Sequence, residues 1–162
     1  MGIRYYAWPL SADDVQAARR EPRPFLADDP FGQAWFTENE GNCYLDKAWR
    51  GLQMLIADSS PNETDRPAAA LVAGDVTFVG YGWDPYIGVL DPEELRRAAE
   101  DLKRVAEDIP FQWRPRRRKS KARSGPGSVL LEQDYINDYL SRLREYVTSL
   151  VAQEKGMIYM IG

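Results

Sequence analysis

Residues Cys43–Ile56 read CYLDKAWRGLQMLI. The stretch puts an acid, a lysine and a tryptophan within Asp46–Trp49 and follows them with large apolar residues. It is either a site or the buried side of a helix. At 100° per residue, Leu45, Ala48, Trp49, Leu52, Leu55 and Ile56 fall in one arc of roughly 120°, which is a core-facing stripe. The spacing therefore predicts a helix over 45–57. On it, Asp46 and Arg50 make an i,i+4 acid–base pair in the favoured order. Lys47 lies roughly 160° from Trp49, so Asp46, Lys47 and Trp49 do not converge on one site from this helix alone. Gly51 is out of place, because glycine inside a helix costs about 1 kcal/mol relative to alanine. That cost suggests that another backbone or a ligand comes close on the side carrying Lys47. A half-buried lysine there needs a carboxylate, and Asp84 and Glu94 are the expected partners.

The flanking segments set the class. GIRYYAWPL reads as a strand over 2–8, stopped by Pro9. Ser11 is a helix N-cap, with Asp13 and Asp14 in the first turn and Pro22 and Pro24 enforcing the end. Residues 69–73 suit strand or helix, 76–79 a strand, and YIGVL at 86–90 a short strand. LDPEELRRAAEDLKRVAEDI starts at Asp91 as N-cap, with Pro92 at N1 and Glu94 at N3 completing a capping box. A long helix follows over about 129–155, with Gly156 placed to terminate it. MIYMI closes as a strand. The fold class is α+β: a single domain over 1–162, a small mixed sheet holding the N- and C-terminal strands, and three main helices at 45–57, 92–107 and 129–155.

Composition excludes several chemistries. The 162 residues contain no histidine and one cysteine, Cys43. Ser-His and Cys-His nucleophiles and His-ligated metals are therefore absent, and a zinc site is not expected. A carboxylate site for magnesium or calcium stays open. One cysteine forms no disulfide within the chain, and no window matches a signal peptide or a membrane span, so a cytoplasmic location is expected and no membrane partner. Net charge is −4, yet RPRRRKSKAR at 114–123 holds seven basic residues and no acid, which leaves −11 on the rest. That run, within a mobile basic loop expected over 114–128, offers Arg116, Arg117, Arg118 and Lys119 as phosphate contacts. Charge runs of this kind are usually solvated, and few stacking aromatics lie beside it, so nucleic-acid binding is not the leading reading.

GYGWDPY, Gly80–Tyr86, lacks the third glycine and the helix start of a dinucleotide or phosphate loop. It reads as a tight turn or as a pocket rim in which Tyr81, Trp83 and Tyr86 surround Asp84.

Together MGIRYYAWPLSADDV, LDKAW-x-GL at 45–52, GYG…L-x-PEE at 80–94 and the terminal GMIYMIG resemble the YfbM-like bacterial family, a domain of unknown function. The resemblance implies a small cytoplasmic α+β domain. It implies no established activity, cofactor or catalytic residue. The pattern often carries histidine where this chain has Arg50 and Gln53. The leading expectation is a non-catalytic binding or protein-interaction module with no cofactor, its contacts drawn from Asp46, Lys47, Trp49, Arg50, Tyr81, Trp83, Asp84 and Tyr86, and its partner a protein or small ligand. The alternatives are an enzyme acting on a small or phosphorylated substrate through Asp46, Lys47 and Asp84, and nucleic-acid binding through 114–123.

Overall fold

The structure, a computed structural model, describes residues 3–26, 41–59, 66–107 and 126–162. Four strands form the main sheet in the order β2-β1-β6-β5, with β1 at Tyr5–Leu10, β2 at Cys43–Asp46, β5 at Tyr86–Leu90 and β6 at Gly156–Ile161. The strands nearest the two termini share this sheet, as the sequence predicts, and pair directly with each other. Each pairing in this sheet is antiparallel rather than mixed. The reason lies in the connection from β5 to β6. A single crossover helix returns the chain to its starting end and gives parallel strands. Two helices, α3 at Pro92–Glu107 and α4 at Pro126–Ala152, instead leave it at the far end. Strands β3 (Thr77–Val79) and β4 (Gly82–Asp84) form a separate hairpin.

Alternation along β1 and β6 divides the core in two, because successive side chains leave opposite faces of a strand. Tyr5, Ala7, Met157, Tyr159 and Ile161 face the larger cluster with α2 (Trp49–Asp58), α3 and α4. Leu10 and Ile158 face the smaller one with Val15 and Ala18 of α1, Val15–Arg20. The first helix opens with a 3-10 turn at Ala12–Asp14, and Ser11 makes no side-chain cap bond there. Residues Pro67–Val72 form a 3-10 helix, the helical one of the two alternatives that composition leaves open. Buried Asp101 on α3 holds it by accepting from Ala68 N–H at 3.0 Å and from Arg66 Nε at 3.1 Å.

The capping box of α3 forms in full. Glu94 N–H donates to Asp91 Oδ1 and Asp91 N–H donates to Glu94 Oε2, both at 2.8 Å. Helix α4 ends differently from the expectation at Gly156, which lies in β6. Glu154 takes the left-handed position (φ 53°). Lys155 N–H then reaches Leu150 C=O and Glu154 N–H reaches Val151 C=O, a Schellman closure without glycine.

Candidate interaction site

The stretch 43–58 is strand, turn and helix, not one helix from 45. Leu45 is buried as the last core-facing residue of β2, and Ala48 starts the approach to α2. Between them Ala48 N–H donates to Leu45 C=O at 2.9 Å, closing a tight turn with Asp46 at φ 45°. Aspartate tolerates this left-handed conformation better than most residues, because its short polar side chain finds local hydrogen bonds. The turn separates Asp46 from Arg50, so the expected i,i+4 pair does not form. Asp46 instead accepts from the Tyr44 hydroxyl at 2.9 Å and the Tyr135 hydroxyl at 3.0 Å, and pairs with Arg4 at 3.3 Å. Burial, and then donation to Asp46, raise the pKa of both phenols, so they stay protonated donors.

Lys47 sits exposed in the turn. No ion pair between it and a described acid forms. Of its two expected partners, Glu94 caps α3 and pairs with Arg19 at 2.6 Å, and Asp84 lies on the exposed hairpin. The strand–turn–helix break is the physical reason: it rotates Lys47 off the face that Gly51 shares. Gly51 does mark a close approach, made by the Ile136 side chain of α4, which a Cβ at 51 would overlap. Trp49 is buried at 2% exposure, as the apolar stripe requires.

The polar side of α2 holds the base of the hairpin. Arg50 pairs with Asp75 at 2.6 Å and lies over the Trp49 ring at 5.0 Å. Gln53 donates to the carbonyls of Val72 and Gly74. From below, buried Tyr5 donates to Leu71 C=O at 2.8 Å, and Tyr159 donates to Ala70 and Ala73 C=O at 3.0 and 3.1 Å. Half-buried Tyr86 lies 6.1 Å from Tyr159 and fills the space over Gly74, whose φ of 89° and missing Cβ permit it. The stem of the hairpin is thus fixed on two sides.

The hairpin itself is bare. Phe78 pairs with Trp83 and Val79 with Gly82 across a turn at Gly80 (φ 59°) and Tyr81. Phe78 is 70% exposed, Val79 55%, Trp83 39%, and Tyr81 is fully exposed. Tyr81, Trp83 and Asp84 therefore share one projecting element, with Tyr86 at its foot. Phe78 and Val79 belong with them, although the sequence reading did not single them out. Their signal was a strand too short to bury both of its faces while carrying apolar residues on each.

Two further features bear on chemistry. Cys43 is buried, and burial pushes its thiol up to about 12, against a small opposing effect of Arg142; it is no nucleophile. Beside it, a groove of about 380 Å³ runs between β2 and α4, lined by Asn42, Cys43, Tyr44, Arg142, Glu145, Tyr146 and Ser149. Among the described residues no three metal-ligating side chains cluster, and no helix is long and apolar enough to cross a membrane. The phosphate-contact candidates Arg116, Arg117, Arg118 and Lys119 lie outside the described residues.

No curated protein and no solved structure shows a significant match to the chain. A family model described as a domain of unknown function (DUF1877) matches residues 1–109, and the chain belongs to that family.

Proposed function

We propose that the protein is a non-catalytic interaction module that presents the β3–β4 hairpin to a protein partner. The observation that supports this reading is the exposure of Phe78, Val79, Tyr81 and Trp83 on a stem whose base is held by Arg50, Gln53 and Tyr86. Isolated apolar residues on a surface are ordinary, but an aromatic cluster on one fixed element is the composition of an interface core. A stem already ordered before binding lowers the entropy lost on association. The partner's chemistry follows from charge. Between Arg66 and Arg96 the chain has no lysine or arginine, and Asp84 flanks the aromatics. The partner offers an apolar cleft with a basic rim.

Within its family we assign the chain to the YfbM-like bacterial members, on the order of the LDKAW-x-GL and GYG…PEE motifs, and place it in the cytoplasm, on its single reduced cysteine. We also take 1–162 as one domain, because β6 joins β1 to β5.

A photoreactive benzoylphenylalanine in place of Tyr81, irradiated in the native cell, tests the reading. The expected result is one discrete protein adduct that disappears when Phe78→Ser is added. Absence of an adduct, or an adduct indifferent to Phe78→Ser, contradicts it.

A further inference from the structure

The partner that suits the hairpin offers an apolar cleft with a basic rim, and the chain carries such a cleft itself. It lies between α3 and α4, has a volume of about 310 Å³ and is lined by Ala99, Leu102, Lys103, Arg144 and Thr148. That volume is at the small end of ligand pockets and suits one or two side chains. Its origin is local. Arg144 is drawn onto α3 by donating to the carbonyls of Leu102 and Lys103, at 2.9 and 3.2 Å. One turn away on each helix stand short side chains, Ala99 and Thr148, which leave the space between the helices unfilled. The floor is apolar, with Leu102 buried and Ala99 half-buried. The rim carries Arg144 and exposed Lys103. Lys103 pairs with Glu100 at 2.7 Å, but a surface ion pair of this kind is weak and yields readily to another acid.

The hairpin matches this groove in shape and charge. Its strands are three residues each, and Tyr81 projects at the turn between them. Asp84 forms no ion pair with a described residue, and no lysine or arginine lies between Arg66 and Arg96 to compete for it. Area points the same way. Phe78, Tyr81 and Trp83 offer at most about 450–750 Å² between them, which falls short of the roughly 800 Å² that each side of a stable interface buries. Two copies related by a two-fold axis use both surfaces twice, because each contributes its hairpin and its groove.

We propose that the partner of the hairpin is a second copy of this chain, and that the two copies exchange hairpins about a two-fold axis. Tyr81 of each copy enters the α3–α4 groove of the other, over Ala99 and Leu102, and Asp84 meets Lys103 on the rim. This rests on the reading of the hairpin as an interaction element and adds what stands on the other side.

Sedimentation velocity of the intact purified chain over a concentration series tests it. The expected result is a monomer–dimer equilibrium whose Kd rises about tenfold or more in Thr148→Trp, which fills the groove, and in Lys103→Glu, which sets like charges face to face. Both positions are exposed; if Thr148→Trp nonetheless fails to fold, Lys103→Glu carries the test. Adding Asp84→Lys to Lys103→Glu should restore the dimer, which a defect in folding would not allow. Benzoylphenylalanine in place of Tyr81 should give the purified chain an adduct of twice its mass, mapped to residues 99–103 or 144–148. The proposal fails if the chain is a monomer throughout, if the dimer ignores these variants, if the charge swap does not restore it, or if the adduct maps elsewhere. In the cell, a Tyr81 adduct with a different protein overturns the second copy and leaves the interaction module standing, whereas no adduct at all overturns both.

Discussion

The Tyr135 hydroxyl donates to Asp46 Oδ2 at 3.0 Å across 89 residues of sequence. This bond, together with Ile136 resting on Gly51, joins the long helix α4 to the turn and helix that follow β2. The segment that looked like a site is a junction: its turn and its glycine receive α4, and its polar face anchors the hairpin.

Substitutions at that bond should separate its two ingredients. Tyr135→Phe removes one half-exposed hydrogen bond and should cost about 0.5–1 kcal/mol in urea unfolding. Asp46→Asn keeps an acceptor and a residue tolerant of positive φ, and should cost about the same. Asp46→Val loses the acceptor and puts a β-branched residue at φ 45°, so it should cost roughly 2 kcal/mol or more. Equal losses for the Asn and Val variants would show that backbone conformation at 46 is unimportant.

At Gly51, helix propensity and packing oppose each other. Alanine gains up to about 1 kcal/mol of propensity, but its Cβ overlaps Ile136. Overpacking of this kind typically costs 1–3 kcal/mol, so Gly51→Ala should be neutral to destabilising by about 2 kcal/mol. In Ile136→Ala the obstruction is gone, and the same glycine change should become stabilising. A double-mutant cycle with no coupling between the two positions would contradict this contact.

The capping box gives a pH dependence. Burial alone would raise the Asp91 carboxyl, but the Glu94 N–H and the Arg19 guanidinium outweigh it and hold the carboxyl below its ordinary value. A carboxyl depressed in the folded state contributes stability that is fully present above its unfolded value of about 4 and is lost as pH falls through the folded value. Thermal unfolding between neutral pH and strong acid should therefore show a weaker acid decline in Asp91→Ala than in the parent chain. The variant should also lose about 1 kcal/mol at neutral pH through the missing cap. An unchanged acid slope would show that Asp91 carries no such linkage.

What was legible in the sequence was local. Asp91, Pro92 and Glu94 specify a helix start within four residues, and both reciprocal bonds form. Ile136, Leu140, Leu143, Val147 and Leu150 keep one face of α4 buried, as their spacing requires. The break at Asp46–Ala48 was not legible, because a buried Leu45 satisfies a strand ending there as well as a helix passing through it. No glycine or proline marks the turn. The same holds at Glu154, where a residue of ordinary type takes the left-handed position while Gly156 is needed in β6, against Leu90 and Val15. The groove beside Cys43 was out of reach for a different reason. Its walls come from residues about 100 apart, and only the packing of α4 on β2 brings them together. The family match at 1–109 likewise stops short of β6, the strand that fills the centre of the sheet.

The most direct measurement concerns the hairpin aromatics, compared for stability and for association in the same variants. Phe78→Ser combined with Tyr81→Ser removes two side chains that bury little within the chain, so unfolding free energy should stay within about 0.5 kcal/mol of the parent. The double variant, carrying the photoreactive residue at Trp83 in place of Tyr81, should form no partner adduct, while the same probe in the parent background should form one. A large fall in stability would mean that the aromatics serve the fold rather than a partner. An intact adduct on a stable double variant would place the interaction elsewhere and contradict the role assigned to the hairpin.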